Sequence, residues 1–157
     1  MRPRFLILAV VGATLVVIAT VAVTGAGGVT ASAGERTLTF VLKASGDHKV
    51  DNPPKGFSSG DLFVGGDTVY DATGKQRVGR GVGFCLLADA KRFRGQCTDT
   101  LVLADGQITL QGAASFAGKQ SERAITGGTG AYAGARGTAT VLETGAHSSL
   151  GTLHLLP

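Results

Sequence analysis

What the chain lacks narrows its chemistry. Lysine and arginine outnumber acids by only 15 to 11, and Arg2 and Arg4 at the N-terminus supply two of the excess positive charges. That balance is too weak and too scattered to argue for nucleic acid as a partner. The three histidines, His48, His147 and His154, have no metal-ligand spacing, so no metal is expected, and no cofactor motif is present. Ser58, Ser59, Ser115, Ser148 and Ser149 lack the context of a nucleophile elbow, which removes support for hydrolase chemistry. The glycine-rich stretch AITGGTGAYAGARGTATV (124–141) has no Gly-Lys-Ser/Thr and runs into β-branched Thr138, Thr140 and Val141. A phosphate cradle needs a helix N-terminus at that place, whereas glycine turns leading into a strand need only this pattern.

Tryptophan is absent and no segment sustains a helical period, while glycine is abundant at 25 residues. Short β-branched and apolar runs, each bounded by turn residues, recur instead. Glycine-rich composition with strong apolar periodicity argues for an all-β domain and against disorder.

The N-terminus carries two arginines, an apolar segment from Phe5 to Val23, and Ala31-Ser32-Ala33. The pattern predicts a secretory signal peptide over residues 1–33 and export of a single domain, 34–157. An uncleaved membrane anchor is the alternative, since the apolar run reaches the length of a span. With cleavage, no stable membrane insertion is expected. Cysteine is scarce, and export turns the single pair, Cys85 and Cys97, into a candidate disulfide. A reactive pair lining a pocket is the other reading.

Along 34–157 the runs RTLTFVLKA (36–44), DLFVGGDTVYD (61–71), QRVGRGVGFCLLA (76–88), GQCTDTLVLA (95–104), QITLQGAASF (107–116), RAIT, ARGTATVLE and SLGTLHLLP read as strands. A long polar loop is expected over 45–60 and a bulge or close packing at Gly65-Gly66. About eight short antiparallel strands in simple succession predict an eight-stranded up-and-down β-barrel. If Cys85 faces Cys97, Gly83 falls opposite Asp99, Gly81 opposite Leu101 and Gly79 opposite Leu103. One face of that hairpin then carries a glycine stripe, which leaves room inside a barrel.

GDLFVGGDTVYDATGKQRVGRGVGFC, GQITLQG and AITGGTGAYAGARGTATV, in that order, resemble the barrel shared by allene oxide cyclases and plant dirigent proteins. The resemblance implies an eight-stranded antiparallel barrel, often oligomeric as a trimer or dimer, with a largely apolar cavity. Cyclases of this kind are cofactor-free isomerases that hold a reactive fatty epoxide in one shape, and dirigent proteins steer the coupling of radicals or quinone methides made elsewhere. Both classes remain open here, as does a non-catalytic ligand-binding or cell-envelope protein using the same cavity.

Asp67 matches a polar cavity residue of the cyclase pattern, Cys85 its cavity cysteine, and Arg136 the arginine of the dirigent turn. Asp67, Asp99 and Arg136 are the catalytic candidates, an arginine to hold a carboxylate and an acid to move a proton. An ion pair or a solvated rim is the plainer reading of Asp99 and Arg136. Cys85, Gly81, Gly83 and Tyr132 are the expected ligand contacts, Tyr132 as a hydrogen-bond donor at the barrel mouth. The expected partner is a small lipophilic molecule.

Overall fold

The computed structural model describes residues 34–157. The expected signal segment, 1–33, lies outside the described residues. Eight strands follow one another: β1 (Arg36–Val50), β2 (Leu62–Tyr70), β3 (Arg77–Asp89), β4 (Arg94–Leu103), β5 (Gly106–Ser115), β6 (Gln120–Gly128), β7 (Gly137–Gly145) and β8 (Ser148–Leu155). Each pairs antiparallel with the next, and β8 closes on β1. Closure leaves no unpaired sheet edge, which a sheet of such short strands needs. The eight-stranded up-and-down barrel read from the sequence is the observed fold.

Two local expectations differ from what is observed. β1 does not stop at Ala44 but runs on to Val50 through polar residues. These residues alternate across a wall whose inner side is itself polar, so the apolar rhythm that marks a strand is missing. The irregularity expected at Gly65-Gly66 sits on the partner strand, where the β1–β2 register shifts between Ala44 and Gly46.

The barrel is solid at one end and hollow at the other. Phe40, Val69, Ile108, Ile125, Leu153 and Leu155 belong to the buried core, and all lie toward the end that carries the β2–β3, β4–β5 and β6–β7 connections. Ile108, Leu153 and Val69 are almost completely buried. Burial of each such side chain stabilises the fold by roughly 1.5–3 kcal/mol. The glycine-rich β6–β7 connection closes this end. Gly130 has φ +60°, and Gly137, at φ +138°, packs against the carbonyl of His154 where a side chain has no room. Those requirements explain Gly130 and Gly137 without any ligand.

The disulfide joins Cys85 and Cys97 directly across β3 and β4. The register carries Gly83 opposite Asp99, Gly81 opposite Leu101 and Gly79 opposite Leu103, as the cysteine pairing requires. A bonded pair leaves no thiolate, which disposes of the reactive-cysteine reading.

Candidate functional site

The other end of the barrel, toward the β1–β2, β3–β4, β5–β6 and β7–β8 connections, holds a half-open cavity of about 300 Å³. Leu42, Leu101, Leu110 and Val141 form apolar wall and floor, and Asp67, Gly81, Gly83, Cys85, Asp99 and Arg123 line it further. Asp47, Glu143 and His147 contribute at the more exposed rim. The volume suits one small organic molecule rather than a chain.

The inward glycines do not simply leave empty space. Asp47 pairs with Gly65, Asp67 with Gly81 and Asp99 with Gly83, each directly across a strand boundary. In all three pairs the aspartate side chain lies over the glycine. A Cβ at Gly81 would stand 3.2 Å from Asp67 Oδ2, and Cβ atoms at Gly65 and Gly83 would run into Oδ1 of Asp47 and Asp99. At Gly79 the space is taken by the Val102 carbonyl and the Leu103 side chain. The glycine stripe therefore seats carboxylates against the wall, a correction to the expectation of a plain hollow. What remains open is the volume in front of them.

The carboxylates differ in their surroundings. Asp99 Oδ2 accepts a hydrogen bond from Arg123 Nε at 2.9 Å, and Arg123 Nη1 donates to Ser121 Oγ at 3.0 Å. The Arg123 side chain is only 8% exposed and that of Asp99 34%. Arg123 is thereby held in one orientation, and Asp99 has a fixed counter-charge. Asp67 has no such partner among the described residues. Burial pushes its carboxyl above the usual aspartate range, and the negative charges of Asp47, Asp99 and Glu143 push the same way. Both effects disfavour the ionised form of Asp67.

The expected site residues thus divide. Asp67, Asp99, Gly81, Gly83 and Cys85 meet at the cavity, with Cys97 bonded behind Cys85. Arg136 and Tyr132 do not join them. Arg136 is exposed beside the β6–β7 connection, where its carbonyl accepts the N–H of Leu156 at 2.9 Å. Tyr132 packs against the core at the solid end, 5.8 Å from the Arg36 guanidinium. Both lie past the end of β6 that is remote from the cavity, which is why the turn carrying them cannot reach it. The cavity arginine is Arg123. It was legible in principle: Ser121, Arg123 and Ile125 share one face of β6, and Ile125 is core. Asp47 was hidden by the reading of 45–60 as loop.

One segment braces the mouth. Asp61, fully buried, accepts backbone N–H groups of Ser58 at 3.0 Å and Asn52 at 3.1 Å and pairs with Lys49 Nζ at 3.0 Å. The Ser58 N–H foremost, then Lys49 and the Asn52 N–H, outweigh burial and hold the Asp61 carboxyl below the usual range. The β1–β2 loop is thereby tied to the barrel.

Comparison with known proteins adds relatives of this architecture. Among solved structures, a pyocyanin demethylase superposes with a TM-score of 0.70 at 26% identity, covering 76% of this chain and 99% of its own. The pterocarpan synthase dirigent protein PsPTS1 gives 0.63 at 16% identity over 79% of this chain and 94% of its own. An exo-specific intermolecular Diels-Alderase gives 0.64 at 16% over 78% and 98%. The last two likenesses are likenesses of fold. No curated protein matches in sequence. The dirigent-like protein family model matches residues 23–154, nearly the whole chain. A closed barrel with a ligand-sized cavity at one end and this family match lead to one statement of identity: the chain belongs to the dirigent-like protein family.

Proposed function

We propose that the barrel admits a small lipophilic molecule through its open end and steers the stereochemistry of its cyclisation or coupling. The observation that carries this reading is the cavity itself, an apolar floor of Leu42, Leu101 and Leu110 beneath Asp67, a carboxyl that burial pushes above the usual aspartate range and that has no counter-ion among the described residues. An apolar pocket fixes one reactive conformer and excludes water, and a carboxyl that burial makes easier to keep protonated can act there as a general acid. Asp67 is the proton donor in this proposal. Asp99 holds Arg123 against the cavity wall, where the guanidinium is fixed to face a polar group of the substrate. Arg136 has no part in it.

The names of fold neighbours, a demethylase acting on pyocyanin, a pterocarpan synthase and a Diels-Alderase, support small organic ligands as a class and suggest probes. Family membership and the Cys85–Cys97 bridge also support the exported location, since such bridges persist in oxidising compartments. Self-association belongs to the same proposal: Val64, Val82, Phe84 and Leu86 are 42%, 49%, 47% and 42% exposed on the outer face of β2 and β3, a patch that a second copy would cover.

The test is product analysis. The barrel is incubated with phenazines such as pyocyanin, with a phenoxy-radical or quinone-methide generator, and with diene–dienophile pairs, and products are separated by chiral chromatography. A changed product ratio or rate supports steering. Binding of one of these compounds with products unchanged assigns the cavity to ligand carriage instead.

A further inference from the structure

Four phenylalanines from separate segments meet at the open end. Phe57 of the β1–β2 loop, Phe93 of the β3–β4 turn and Phe116 of the β5–β6 turn gather with Phe63 of β2, which also lines the cavity. Ring centroids stand 5.2 Å apart for Phe57–Phe93 and 5.1 Å for Phe63–Phe116. Such a cluster would ordinarily be core, yet Phe57, Phe93 and Phe116 are 44%, 45% and 36% exposed. Phe93 has φ +53°, a left-handed conformation uncommon for a bulky side chain. The Phe93 carbonyl accepts the Phe116 N–H at 2.8 Å, so two of the tips are tied together. The Phe93 ring packs on Phe57 and still leaves nearly half of its surface open.

The surroundings of this aromatic tip are cationic. Lys55, Lys91, Arg94 and Lys119 are all exposed on or beside the same three connections. Asp51 and Asp61 share Lys49 and Asp89 pairs with Arg92, while Asp47 and Glu143 stand exposed at the cavity side of the same end. Exposed aromatic rings flanked by four cations that have no ion-pair partner among the described residues match one kind of surface, acyl chains beneath anionic headgroups. A protein partner would need acids placed against four separated cations, whereas a bilayer supplies negative charge at every point of the rim.

We infer that the open end of the barrel docks reversibly on anionic lipid membranes, with Phe57, Phe93 and Phe116 in the interfacial region. Docking in this way turns the cavity mouth toward the phase in which a lipophilic molecule is dissolved. The inference stands on the rim and not on the chemistry inside the cavity, so either holds without the other. It is peripheral binding and involves no spanning strand.

Residues 34–157, which contain the whole closed barrel, are tested by flotation with phosphatidylcholine vesicles that contain or lack phosphatidylglycerol. Thermal melting without vesicles establishes that each protein is folded. The expected result is flotation with anionic vesicles only, lost when salt of about 0.5 M shortens the range of charge attraction. Phe57→Ser with Phe93→Asn should weaken binding at least about tenfold, and asparagine tolerates the conformation at 93. Lys91→Glu with Arg94→Glu, which leaves the rings in place, should weaken it by a similar or greater factor, each cation contributing roughly fivefold. A parent that stays in the aqueous phase, equal binding to neutral vesicles, or folded variants that float like the parent would overturn the inference. So would loss of self-association in the phenylalanine variant without any vesicle binding by the parent, which would give the tip to a second copy.

Discussion

Asp67 stands directly opposite Gly81 across the β2–β3 ladder, and its carboxyl fills the space that a side chain at 81 would take. The pairing fixes where the acid sits and leaves it without a counter-ion, and burial then favours its protonated form.

From that follows a pH dependence with a definite sign. A carboxyl whose folded-state pKa is raised binds a proton more tightly folded than unfolded, so stability falls as pH rises from the unfolded value through the folded one. Asp67→Asn removes the ionisation. It should raise the melting temperature in neutral and mildly alkaline buffer, with the gain shrinking as pH falls through the folded value and gone below the unfolded one. In the proposed reaction the same variant should lose most of its rate, and the parent's rate should decline as pH rises through the Asp67 pKa.

Arg123 is buried against Asp99. Arg123→Met should cost about 1–2 kcal/mol in chemical denaturation, at the lower end for a broken pair because Asp99 keeps partial hydration. Adding Asp99→Asn should recover much of the loss. Arg136→Met should change neither stability nor ligand binding appreciably, since Arg136 is exposed at the far end.

Reduction of Cys85–Cys97 opens a short loop closed across one hairpin. Replacing both cysteines by alanine should lower stability by about 2–3 kcal/mol, read as a shift in denaturant midpoint. Mass spectrometry of unreduced protein should find a mass about two units below that of the reduced chain.

The outward face of β3 gives a separate expectation. Val82→Glu with Phe84→Glu should lower the oligomeric mass seen by light scattering while leaving the melting temperature of the barrel nearly unchanged, because both side chains are exposed in the single chain. A monomeric parent would contradict it.

The barrel was legible because its strands alternate and its turns are marked, and the β3–β4 register because two cysteines allow one pairing. The cavity was only half legible. Asp67, Asp99, Gly81 and Gly83 sit on strands whose facing could be worked out from Cys85. Arg123 needed the global closure of the barrel, since a short strand such as RAIT does not announce which face is inward. The assignment of Arg136 and Tyr132 to the site failed for a related reason. A turn motif fixes local backbone shape and does not say at which end of the barrel a ligand sits. The polar second half of β1 escaped because Asp47 faces a polar wall.

The central claim, that a small lipophilic molecule occupies the open half of the barrel in front of Asp67, is tested most directly by thermal-shift titration. A panel of phenazines, phenols, polyenes and fatty-acid derivatives is titrated against the parent and Gly81→Leu. Leucine at 81 would displace the Asp67 carboxyl and project into the cavity. The account predicts that at least one class stabilises the parent, by about 2.7 kcal/mol at a hundredfold excess over Kd, and fails to stabilise the folded variant. A class that stabilises both proteins equally would place its site elsewhere, and a panel with no effect on the parent would contradict the claim outright.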